Sequence, residues 1–185
     1  MNELINRPTL SSAVVIATKK IIGGLIEDTG QPNLGLSGNG PEISIIQGVL
    51  EQHGLYQPNG SNGVSLKKPR PGGDPGVRAV WGEIQDYLRS AVDSGLSLDK
   101  LYETLESAPY GTRRGLIPLY IWLVLIYHRD SVSLYENGTF QTHWSPELYD
   151  RFVKAPHTFT CRWLMYRNVT GELLSRLNAA IPRVP

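Results

Sequence analysis

The chain lacks most of the features that would announce a chemistry. It has one cysteine, Cys161, so no intramolecular disulfide can form and no thiolate cluster can hold a metal. Its four histidines, His53, His128, His143 and His157, follow none of the spacings of a metal site. Neither sign of charge is in excess: 18 Lys and Arg stand against 17 Asp and Glu, a net charge of +1. No global field therefore draws the chain to nucleic acid or to an anionic membrane, and any polyanion contact needs a local basic patch. A membrane-length apolar run is missing too. The most apolar stretch, Gly115–Tyr127 (GLIPLYIWLVLIY), is bounded by Arg113-Arg114 and His128-Arg129-Asp130, and a spanning helix needs about 20 apolar residues. It reads as a core helix. The start, MNELINR, has no basic region leading into an apolar core, as a signal peptide would. The expectation is a cytoplasmic chain, with the sequons at Asn137 and Asn168 as chance matches.

Catalytic patterns are equally scarce. Gly35–Gly40 (GLSGNG) precedes a helix but lacks the Lys-Ser/Thr pair of a phosphate-binding loop, and Glu42 would repel an anion there. Cys161 lies in an expected strand and reads as a small core hydrophobe. Ser37, His143 and Asp150 make a triad only by free choice. The residues support no catalytic set, no metal and no cofactor, so an enzyme is the least supported class.

What is present is periodicity and punctuation. Ser11 or Ser12 caps a run with Val14, Val15, Ala17, Ile21, Ile22, Leu25 and Ile26 at helical spacing, interrupted by Gly23-Gly24, which suits a close crossing with another helix. Pro41-Glu42 opens a second helix that Gly54 closes. Asp74-Pro75 opens a third, with Val77, Val80, Trp81, Ile84, Tyr87, Leu88 and Val92 on one face and Gly95 at its end. Ser97 is the expected cap of a fourth helix (Leu98, Leu101, Tyr102, Leu105), and Thr112 of a fifth running to His128. Asn137-Gly138 between residues 131–136 and 139–144 is a strong hairpin signal. Ser145-Pro146-Glu147 opens a short helix, residues 158–166 read as a strand, and Thr170 caps a last helix.

Residues 57–76 hold five glycines and four prolines and read as a flexible linker or loop. They divide an N-terminal helical pair (1–56) from a larger unit (77–185). The expected fold is mainly α with a small β component: a helical bundle whose helix-turn-helix plus β-hairpin looks winged-helix-like.

A winged helix suggests DNA binding, but the second helix of the pair must then carry a solvated polar face to base edges. Here that helix offers Leu, Ile, Tyr, Trp and Val. The DNA reading is left with phosphate contacts from Lys67, Lys68, Arg70, Arg113 and Arg114, the first three in a loop. The favoured reading is an interaction module without catalysis. Its contact residues are Tyr110, Arg113 and Arg114 at the turn, and Tyr135, Asn137 and Phe140 on the hairpin, where Tyr supplies area with a polar handle.

Three segments carry a resemblance: Ala108–Pro118 (APYGTRRGLIP), Ser133–Phe140 (SLYENGTF) and Gly40–Ile45 (GPEISI). Together they resemble an interior region of large bacterial P-loop ATPases of phage-defence systems of the BREX type. The three segments make up 25 of the 185 residues. It implies a helical, winged-helix-like module beside an ATPase engine, with a protein partner or an adjoining ATPase domain to contact. The chain has no Walker A lysine motif, so the ATPase activity is not implied for it.

Overall fold

A computed structural model describes residues 11–27, 30–58, 63–92 and 94–164. Residues 1–10 and the helix expected from Thr170 lie outside the described residues. The described chain is mainly helical, with two small antiparallel sheets.

Helix α1 spans Ser12–Glu27. The Ser11 hydroxyl accepts from the amide of Val14 at 3.4 Å, so Ser11 is the cap. The two glycines allow close packing, as the sequence suggests. A Cβ on Gly23 would stand 3.0 Å from Pro146 Cγ, and one on Gly24 2.8 Å from Leu34 Cβ. The first neighbour opens a helix and the second sits in the short 3-10 turn Pro32–Gly35.

Helix α2 (Pro41–Ile45) runs on as a π-helical stretch, Ile46–Glu51. Gly54 follows with φ +71°, the left-handed stop that glycine adopts freely. Strands β1 (Tyr56–Pro58) and β2 (Val64–Leu66) then pair antiparallel. The segment read as a linker thus supplies strand residues at its start. Its glycines and prolines hid this, because a three-residue strand is too short for alternation to show.

Helix α3 (Pro75–Ser90) begins as expected: the Asp74 carboxylate accepts from the amide of Val77 at 2.9 Å, and Pro75 takes the first turn. It stops at Ser90, short of Gly95. The Ala91 carbonyl accepts instead from the amide of Trp163 at 2.7 Å, so the chain turns into the sheet. Ser97 does not cap a helix. It belongs to strand β3 (Leu96–Ser97), paired with residues 160–161, and its hydroxyl donates to Asp99 at 2.6 Å. Helix α4 follows at Lys100–Glu106.

Helix α5 covers Ile117–Tyr127. Thr112 does not cap it, because the helix begins five residues later, with Leu116 at the cap position; the Thr112 amide donates to the carbonyl of Leu105 at 2.7 Å. Pro118 falls in the first turn, where a missing N–H costs nothing. Strand β4 (Val132–Glu136) turns at Asn137 and Gly138, both at positive φ, into β5, which is only Thr139–Phe140. Helix α6 (Pro146–Lys154) is capped by Ser145, whose hydroxyl accepts from the amide of Leu148 at 3.3 Å. Strand β6 (Phe159–Trp163) then returns along the other edge of β4 for all five residues, giving the order β3-β6-β4-β5.

One buried apolar cluster runs from Val14 to Cys161 and includes residues on both sides of the Gly/Pro-rich segment. Its centre is α5, which touches α1, α3, α4 and α6 and buries Ile117 through Ile126 without a break. Trp122 is fully buried, with the rings of Tyr149, Trp144 and Phe152 at 5.5, 5.8 and 6.1 Å. Among the described residues, no helix is long and apolar enough to cross a membrane.

Candidate functional site

The turn between α4 and α5 is held by side chains on both flanks. The Tyr110 hydroxyl donates to Glu83 Oε2 on α3 at 2.6 Å. That bond to a carboxylate is the main reason the phenol's pKa lies above its ordinary value. Arg114 Nη1 lies 2.8 Å from Glu106 Oε2, and its guanidinium stands 5.3 Å from the centre of the Tyr102 ring. Arg113 is exposed and lines a shallow groove of about 240 Å³ with Tyr110, Asp74 and Tyr120. Of the three predicted turn residues, Tyr110 and Arg114 are anchored into the fold and Arg113 faces solvent.

The hairpin shows the same division. Asn137 takes φ 50° and Gly138 φ 76°, the mirror-image turn that this pair favours. The Asn137 amide donates to the carbonyl of Thr158 at 2.8 Å, tying the tip to the start of β6. Arg151 of α6 grips Glu136 through Nε and Nη2 at 2.8 and 3.0 Å. Tyr135 is sandwiched between Phe140, ring centres 5.5 Å apart, and the Arg162 guanidinium at 5.5 Å. Phe140 keeps 50 % of its surface exposed. Among the described residues, no hydrogen bond, ion pair or ring contact joins the hairpin to the Tyr110–Arg114 turn.

The basic loop residues part company. The Lys67 amide donates to the carbonyl of Leu55 at 2.7 Å. Arg70 lies against Gly54, where its Nε would crowd any Cβ. Lys68 faces a second groove, of about 430 Å³, which no Arg113 or Arg114 atom lines. Two residues that sequence reasoning passed over, Arg78 and Arg89 of α3, line that groove. They read as ordinary solvated charges. The available signal was that 78, 82, 85 and 89 fall on one stripe of the helix, flanking the buried face.

Cys161 is fully buried, and desolvation pushes its thiol up to about 12, so it is a packed core residue. No cluster of His, Cys, Asp and Glu suited to a metal ion occurs among the described residues. No protein family, no curated protein and no solved structure matches this chain.

Proposed function

We propose that the chain is a non-enzymatic adaptor or regulatory module that contacts a protein partner through its hairpin and its Tyr110–Arg114 turn. One observation carries this reading. The helix in the recognition position, α5, is buried from Ile117 to Ile126, while Phe140 on the adjoining hairpin is half exposed. A duplex-reading domain needs the reverse distribution, because base edges are read by solvated polar side chains. The order α3, α4, α5 and then antiparallel strands, with β3 closing the sheet through β6, supports a winged-helix-like scaffold put to a structural use. The partner proposed from the resemblance is a P-loop ATPase of the phage-defence type, as a separate chain or an adjoining domain.

The test is affinity purification of the tagged chain from its own cells, beside Phe140→Ser and Arg113→Glu variants that melt at the wild-type temperature. Recovery of an ATPase of that class by the wild type, and its loss from the variants, is the expected result. A monomer that recovers no specific protein, or equal recovery by all three chains, overturns the proposal.

A further inference from the structure

The groove beside α3 combines features that the proposed adaptor role does not use. Lys68, Arg78 and Arg89 are exposed on its walls, and no carboxylate lines it. Among the described residues, no hydrogen bond or salt bridge engages the side chain of any of these three cations. Their one ring contact there is the Arg89 guanidinium over Trp163, at 5.7 Å. Trp81, Tyr127 and His128 line the same groove, and their rings continue to Trp163 beside it. Trp81 and Tyr127 meet edge to face at 5.5 Å, Tyr127 and His128 at 4.9 Å, and His128 and Trp163 at 5.2 Å. Tyr127 is 39 % exposed. Trp81 lines the groove and is 4 % exposed.

The spacing of the cations narrows the ligand. Arg78 and Arg89 stand at opposite ends of α3, about 16 Å apart along its axis at roughly 1.5 Å per residue. A single phosphate is held by cations that converge on one point, whereas these form a track with an aromatic row beside it. Tracking a charged backbone while offering ring faces is how proteins bind single-stranded nucleic acid without reading its sequence. A duplex would keep its bases stacked inside and leave the rings unused. We propose that this groove binds single-stranded nucleic acid, with Lys68, Arg78 and Arg89 on the phosphates and Tyr127 against a base.

The test is fluorescence anisotropy of a labelled oligothymidylate of about 15 nucleotides, within the span such grooves cover, titrated with the full chain at several salt concentrations. Arg78→Ala/Arg89→Ala should weaken binding about tenfold and reduce the slope of log affinity against log salt by about 1.4, or roughly 0.7 for each phosphate no longer neutralised. Arg78→Lys/Arg89→Lys should restore most of the binding. Tyr127→Leu should weaken binding without changing the slope, since stacking releases no counterions. Lys100→Ala/Lys154→Ala, two exposed cations outside the groove, should bind as the wild type does. Each variant is first matched to the wild type by circular dichroism and melting temperature, and Arg78 and Arg89 are exposed, so folding is not at issue for them. No binding at low salt, binding indifferent to the Arg78/Arg89 pair, or equal affinity for a duplex of the same length would each overturn the proposal.

Discussion

At the scale of single residues, two glycines show how surroundings decide the sign of one substitution. Gly24 and Gly82 both sit inside helices, where alanine is intrinsically better by about 1 kcal/mol. At Gly82 a Cβ would meet nothing within 4 Å, whereas at Gly24 it would stand 2.8 Å from Leu34 Cβ. Leu34 has little room to retreat, because it is buried and already at φ 58°. Gly82→Ala should therefore stabilise the chain by about 0.5–1 kcal/mol. Gly24→Ala should destabilise it by about 1–3 kcal/mol, the usual cost of overpacking. Urea denaturation of the two variants beside the wild type checks both signs.

His128 supplies a pH dependence at the same scale. Burial lowers its pKa below the ordinary 6.5, and the nearby positive charge of Arg89 adds to the shift. The ring is held by Gln85 at 3.1 Å and by the rings of Tyr127 and Trp163. Because the folded state takes up the proton less readily than the unfolded one, stability is complete above the unfolded pKa. It is lost as pH falls from there through the lowered folded value. Urea midpoints between about pH 7.5 and 5, which span the imidazole range, should fall on acidification, and His128→Gln should remove part of that fall. A variant with an unchanged pH profile would show that the imidazole is not responsible.

Among the elements, those that could be read in advance carry their signals within a few residues. Helices α3 and α6 each begin with a capping side chain followed by proline, Asp74-Pro75 and Ser145-Pro146. Both caps are made, to Val77 at 2.9 Å and Leu148 at 3.3 Å. Replacing Asp74 or Ser145 by alanine should cost about 1 kcal/mol each. The shorter Asp74 contact should give the larger loss in thermal melts, and the two losses should add. The Asn137-Gly138 turn was legible for the same local reason. What escaped is set by partners far along the chain. Ser97 looks like a cap until β6, more than sixty residues later, claims it as a strand residue. Strand β5 pairs with only Tyr135 and Glu136 of β4, whereas β6, on the other edge, pairs with all five of its residues. Of the site residues, Tyr110 and Arg114 were legible as chemistry but not as anchors, because Glu83 and Glu106 become their partners only in the folded chain. The track of Arg78 and Arg89 needed Lys68 and Tyr127 brought beside it before it resembled a groove.

For the whole molecule, the decisive feature is that α5 is shared. It packs against α1 from one side of the Gly/Pro-rich segment and against α3, α4 and α6 from the other. Composition alone suggested two units joined by a linker, and a chain built that way would unfold in two steps. A continuous buried cluster gives a different expectation, because neither part can keep its apolar surface covered once α5 is lost. Trp122 is the place to probe it, fully buried within a ring of Trp144, Tyr149 and Phe152. Trp122→Ala should cost about 3–5 kcal/mol, a large share of the roughly 5–15 kcal/mol that holds a typical domain together. Its effect should reach α1 as fully as α6. Hydrogen exchange read by mass spectrometry should show protection falling together in residues 14–25 and 148–159, and near-ultraviolet and far-ultraviolet signals should melt in one transition. Loss confined to 148–159, with 14–25 still protected, would instead make the Gly/Pro-rich segment a true boundary between two independent folding units.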